Sequence, residues 1–107
     1  MSRSPEAGSA LPEPTGIVPE TVSFYKRTPE FTEDSVPPAL LRAHSTKEGV
    51  WGRIQVTQGE LVYWIVDPRR AKRQTVLRPE DAGVVEPTIL HEVQPSTGTA
   101  FFVEFLR

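Results

Sequence analysis

Two histidines, His44 and His91, are the whole imidazole inventory of the chain. Each lies in a stretch that reads as the edge of a β-strand, Leu40-Leu41-Arg42-Ala43-His44 and Pro87-Thr88-Ile89-Leu90-His91-Glu92-Val93. Neutral imidazole is a common ligand of first-row transition metals and the side chain best suited to proton transfer near neutral pH. Two imidazoles alone do not complete a catalytic metal site, which usually has three protein ligands and an open position. A carboxylate must join them. Glu104 is the first choice, because strand alternation groups it with Phe102 and Leu106 in an otherwise apolar strand, where a carboxylate needs a partner or a solvated cavity. Glu86, next to Pro87, is the second. The set His44, His91, Glu104 or Glu86 predicts a divalent transition metal of unspecified identity, with positions left for O2, water or a chelating oxyanion. The plainer alternative makes both histidines partly buried, hydrogen-bonded groups and puts Glu104 on an exposed sheet face.

Other polar residues carry weaker signals. Lys47 is a candidate for binding an anion or simply a solvated turn lysine, and Arg53 and Gln55 alternate with apolar positions and are candidates for the lumen of a barrel. Trp51, Tyr63, Trp64, Phe102 and Phe105 read as core or interface. The basic run Arg69-Arg70-Ala71-Lys72-Arg73 reads as a solvated hairpin loop of an acidic chain, not a nucleic-acid contact. No phosphate loop, Ser-His-Asp order or nucleophile elbow is present.

With 107 residues and no cysteine, one domain can bury roughly 60–70% of its unfolded surface without disulfides, and thiol chemistry is excluded. A net charge of -2 gives no overall attraction to nucleic acid or anionic lipid. Residues 1–20, rich in Pro, Gly, Ser and Glu, lack the apolar core of a signal peptide and read as a mobile tail. The longest apolar run, Leu61 to Val66, is far too short for a membrane span. A soluble, cytoplasmic protein is expected.

Residues 21–107 read as one all-β domain of short strands: Thr21 to Lys26, Gly49 to Thr57, Glu60 to Val66, Arg73 to Leu77, Gly83 to Glu86, His91 to Val93 and Ala100 to Leu106. Gln58-Gly59 predicts a tight reversal with Gly at positive φ, and Asp67-Pro68 ends the following strand. A single helical turn at Glu33 to Ser35 is expected to stop at Pro37-Pro38.

Val56-Thr57-Gln58-Gly59-Glu60-Leu61 and Gly83 through His91 resemble the two cupin motifs. More narrowly, Tyr25-Lys26-Arg27-Thr28-Pro29 and the run His44-Ser45-Thr46-Lys47-Glu48-Gly49-Val50-Trp51 resemble the small TehB/YeaR-like cupins, found beside the methyltransferase domain in some tellurite-resistance TehB proteins. The resemblance covers about residues 20–107. It implies a cupin-type double-stranded β-helix, a jelly-roll barrel, with His44 and His91 at ligand positions in its mouth. The chain departs from the general pattern: Thr46 stands where a second His is usual, Val50 and Trp51 where a Glu is usual, and no Gly intervenes between Pro87 and His91. A chain of this length is expected to lack the methyltransferase domain, so methylation is not implied.

The leading expectation is a stand-alone cupin binding a divalent metal or a small-molecule ligand in its barrel. The alternatives are a non-catalytic small-molecule or oxyanion-binding stress-response module and a structural dimerisation domain that pairs exposed strand edges in a homodimer.

Overall fold

The structure, a computed structural model, describes residues 18–107. The expected tail therefore falls almost wholly outside the described residues. Among the described residues eight strands form two antiparallel sheets. The larger sheet holds β1 (Phe24–Arg27), β8 (Ala100–Leu106), β3 (Trp51–Gln58) and β6 (Gly83–Val85) in that order, with the two-residue β2 (Phe31–Thr32) also on β8. The smaller sheet orders β5 (Arg73–Leu77), β4 (Leu61–Ile65) and β7 (His91–Pro95). Among the described residues there is no α-helix, and no helix is long and apolar enough to cross a membrane.

The period-2 pattern explains which faces meet. Along β3 the buried positions are Gly52, Ile54 and Val56, alternating with half-buried Trp51, Arg53 and Gln55. In β4, Leu61, Tyr63 and Ile65 are buried, and these pack with Val93 and Leu77 of the smaller sheet against Ile54, Val85 and Phe101 of the larger one. Ile54, Leu61, Leu77 and Phe101 are essentially inaccessible. Each such side chain contributes about 1.5–3 kcal/mol of burial, which makes the space between the sheets the fold's main source of stability.

Turn chemistry follows the sequence. Gly59 has φ +76, and a Cβ there would sit 3.1 Å from the Gly98 carbonyl oxygen, so the β3–β4 turn, which carries the chain from one sheet to the other, needs glycine for both reasons. The helical element differs from expectation. Residues 33–36 form a turn closed by Ser35 N and Val36 N on the Thr32 carbonyl, and a 3-10 helix then runs Pro38–Leu41. Pro38 starts this helix because its first residue needs no N–H donor and its φ is already suitable.

Candidate functional site

His91 opens β7, and His44 faces it across an isolated antiparallel bridge. The two residues exchange both backbone hydrogen bonds, His44 N to His91 O at 2.9 Å and His91 N to His44 O at 2.8 Å. Thr88 N also donates to Thr46 O at 3.1 Å, so residues 44–46 run beside residues 88–91, the approach to β7 and its first residue. The cupin-like motifs bring the two histidines together, but the 44–46 segment has too few residues to show as a strand, so the backbone bridge between them is not legible in the sequence.

The bridge sets the two imidazoles edge-to-face, with ring centroids 5.6 Å apart, and Tyr63 packs its ring 5.8 Å from His91 on another side. His91 is buried and its Nδ1 lies 3.2 Å from the Ile89 carbonyl oxygen. A carbonyl only accepts, so Nδ1 carries the proton and Nε2 is the bare acceptor in the neutral ring. Burial pushes the His91 pKa down to about 4, against the Ile89 hydrogen bond and with the help of His44. The Tyr63 hydroxyl donates to the Val84 carbonyl at 3.1 Å, and burial raises its pKa.

Both histidines line a cavity of about 250 Å³ between the sheets. Its walls are Ile54, Val85 and Val93 from the two sheets, Phe101, Val103 and Phe105 from one face of β8, Phe31, and Leu40 with Ala39 at the 3-10 helix. No Asp, Glu, Lys or Arg lines it. The polar lining groups other than the imidazoles are occupied within the protein. Thr46 Oγ1 donates to Val50 O at 2.6 Å, while Thr28 Oγ1 donates to Pro29 O at 2.8 Å and accepts from Val103 N at 3.0 Å.

The two carboxylates expected to join the histidines are elsewhere. Alternation does group Glu104 with Phe102, but that face of β8 is the one opposite Phe101, Val103 and Phe105, which line the cavity. Glu104 sits directly across from Arg53 in the β3–β8 register. Its Oε1 accepts from Arg53 Nε at 2.9 Å and Gln55 Nε2 at 3.1 Å. Burial raises the Glu104 pKa, but these hydrogen bonds and the charges of Arg53 and Arg27 more than offset it and leave the carboxyl below its usual value. Arg53 and Gln55 are thus partners of Glu104, not lumen groups. Glu86 is held by Arg70, whose Nε and second guanidinium nitrogen reach its two oxygens at 3.1 and 2.5 Å. Lys47 is exposed and outside the cavity lining. Among the described residues no three His, Cys, Asp or Glu side chains gather as a metal-binding group. Two imidazoles in an apolar cavity, one already committed to Ile89, do not fit the usual three-ligand catalytic set.

The basic run does more than the sequence suggested. The buried Asp67 carboxylate accepts from Arg69 N, Arg69 Nε and an Arg69 guanidinium nitrogen at 2.8, 2.9 and 2.8 Å, and from Leu90 N at 2.9 Å. The Arg69 hydrogen bond is the main reason that its pKa falls well below the carboxylate range, with the Leu90 and Arg69 N–H groups adding to it and burial opposing. Arg69 also donates to the Thr88 carbonyl at 2.6 Å. Arg69 and Asp67 together therefore grip residues 88–90, the segment that delivers His91 to the cavity. The sequence signal for this was the Asp-Pro-Arg turn, in which Asp accepts from the backbone two residues on.

The TehB-like domain family matches residues 26–103 of this chain. Two curated relatives named "Probable S-adenosyl-L-methionine-dependent methyltransferase TehB", from two strains of Haemophilus influenzae, are 31% and 29% identical over 72 residues. These matches take in 65% of this chain and 25% of each relative, so the chain spans about a quarter of their length. The crystal structure of TehB from Haemophilus influenzae superposes with a TM-score of 0.73 at 27% identity, over 81% of this chain and 32% of that one. A crystal structure of an E. coli (strain K12) protein gives a TM-score of 0.75 at 21% identity, over 85% of this chain and 95% of that one, and shows likeness of fold alone. With the family matching well over half of its residues, the chain belongs to the TehB-like domain family.

Proposed function

We propose that this chain is a small-molecule-binding module of cupin type, which takes a compact uncharged ligand into the cavity between its sheets. The observation that carries the reading is the cavity itself: about 250 Å³, walled by apolar side chains, with an imidazole acceptor that no group among the described residues occupies. Sites for small ligands have this composition, a mostly apolar lining with a few placed polar groups. An oxyanion would enter without a counter-charge among the lining residues, which is costly against an apolar wall.

The sheet orders support a jelly-roll reading of the fold. With the 44–46 segment counted beside β7, each sheet has a row of four, β1-β8-β3-β6 and 44–46-β7-β4-β5, and the chain crosses between them at most connections. The paired rings favour one further reading, in which a divalent transition metal is held by His44 and His91 and completed by an exogenous ligand; elemental analysis of purified protein tests it. The methyltransferase activity in the relatives' names is no part of this proposal.

Titration of isotopically labelled protein with small neutral aromatic and aliphatic compounds tests the cavity. Saturable shifts confined to residues such as Ile54, Val93 and Val103 are expected. Ala39→Phe, at the exposed rim, should abolish them and leave the rest of the spectrum in place. Shifts scattered over the surface, or unaffected by Ala39→Phe, would refute the reading.

A further inference from the structure

We infer that the ligand class the cavity selects is a small neutral aromatic ring bearing one hydroxyl, a phenol, whose O–H donates to Nε2 of His91. This rests on the cavity being a ligand site, as proposed above, and adds what the site recognises.

The acceptor is defined by hydrogen-bond accounting. Nδ1 of His91 donates to the Ile89 carbonyl, so Nε2 bears a lone pair, and no group among the described residues donates to it. A buried acceptor without a donor carries its full desolvation cost, which a ligand O–H relieves. The neighbouring hydroxyls do not supply that donor. The Tyr63 hydroxyl is committed to Val84 O, Thr46 Oγ1 to Val50 O and Thr28 Oγ1 to Pro29 O.

The walls define the rest. Phe31 and Phe101 already meet edge-to-face with centroids 5.7 Å apart, and Phe105, His44 and His91 add further ring edges and faces around the space. Such a surround favours a planar aromatic guest through edge-to-face contacts. An apolar cavity of about 150 Å³ is known to take benzene, and at about 250 Å³ this one has room for a ring and a substituent. With no cationic residue in the lining, the un-ionised phenol is chosen over phenolate or benzoate.

Phenol and toluene form the test pair, since they have nearly the same shape and differ in the donor. Dissociation constants for both are measured by NMR titration of the wild type and of His91→Phe, which keeps a ring and removes the acceptor. The ratio of phenol affinity to toluene affinity should fall about tenfold in the variant, the size of one net hydrogen bond in a buried site. In the wild type, the 15N resonance of His91 Nε2 should move to lower frequency with phenol and stay in place with toluene, a readout that does not need the variant to fold. If both compounds bind but the ratio is unchanged, or the Nε2 resonance responds equally to both, the phenol inference is overturned and the cavity reading stands. If neither compound perturbs the cavity residues at any accessible concentration, both fall.

Discussion

His44 and His91 are joined by two reciprocal backbone hydrogen bonds of 2.9 and 2.8 Å, and this bridge sets their rings edge-to-face beside the cavity. Because the pairing is made by main-chain atoms, it uses no hydrogen bond from either side chain. The rings are positioned by the sheet edge, and with Nδ1 of His91 held by Ile89, its Nε2 is left to serve the cavity. The chemistry of His91 can therefore be altered while its place in the fold is kept.

Stability should depend on pH through His91. The unfolded chain takes up a proton on this ring near pH 6.5, but the folded protein does so only near pH 4. Between those values the unfolded state binds more protons, so stability is full above about pH 6.5 and falls as the pH drops towards 4, by up to about 3 kcal/mol. Urea unfolding followed across this window should show the fall, and His91→Phe should flatten it. A wild-type midpoint that stays constant from pH 7 to 4.5 would contradict the burial of a neutral ring. Loss of the Asp67 and Glu104 interactions comes at lower pH, since both carboxyls sit below their usual values.

Arg69→Ala should lower the melting temperature by roughly 5–10 °C, because it leaves the buried Asp67 carboxylate without its guanidinium and releases the Thr88 carbonyl. Arg78→Ala is the matched control. Arg78 pairs with Glu60 at 3.0 Å, but both side chains are about half exposed, and such pairs contribute little. Equal melting temperatures for the two variants, read by circular dichroism, would show that the Asp67 clamp is not structural.

Thr88 is β-branched yet has φ 64, a region that disfavours its Cβ. At an ordinary loop position Thr→Gly loses stability through the unfolded chain's added freedom. Here relief of the backbone offsets that loss, so Thr88→Gly should leave stability unchanged or raise it by up to about 1 kcal/mol. Denaturant unfolding that reveals a loss above about 1 kcal/mol would show that the Thr88 side chain holds something the geometry does not reveal.

Glu104→Gln should leave cavity binding of small neutral compounds unaltered, since the carboxylate lies on the far face of β8. It should cost about 0.5–1.5 kcal/mol through the weakened Arg53 interaction, in which both side chains are partly shielded. Toluene titration and urea unfolding of the same variant check both statements. A marked loss of binding would restore Glu104 to the site.

Period-2 patterning made the strands legible. Arg73–Leu77 and Ala100–Leu106 have the bounds that their β-branched and aromatic content suggests, and Gly59 takes the positive φ that the tight reversal demands. The meeting of His44 and His91 was also foreseeable, from the cupin-like motifs that carry them. The direction of β8 was harder to read. Phe101, Phe102 and Phe105 put bulky apolar groups on both faces, so hydrophobicity does not tell which face is inward, and the pattern alone leaves Glu104 a cavity candidate. The informative signal was across the sheet: Arg53 and Gln55 alternate in β3 as Glu104 does in β8, and an opposite-charge cross-strand pair satisfies all three. The clamp of Arg69 on Asp67 was hidden for a different reason. A run of basic residues looks solvated until a buried carboxylate is placed beneath it, and that placement is tertiary. β2, two residues long, has no periodicity to detect.

The central claim is that the space beside His44 and His91 is a dry, apolar cavity open to small uncharged molecules. A crystal structure determined under xenon pressure tests it most directly, because xenon enters apolar cavities that water leaves empty. The account predicts a strong anomalous peak among Ile54, Val93, Phe101 and the two imidazoles. A cluster of ordered waters in that space, or a metal ion coordinated by both histidines with a carboxylate drawn in to complete the set, would contradict it.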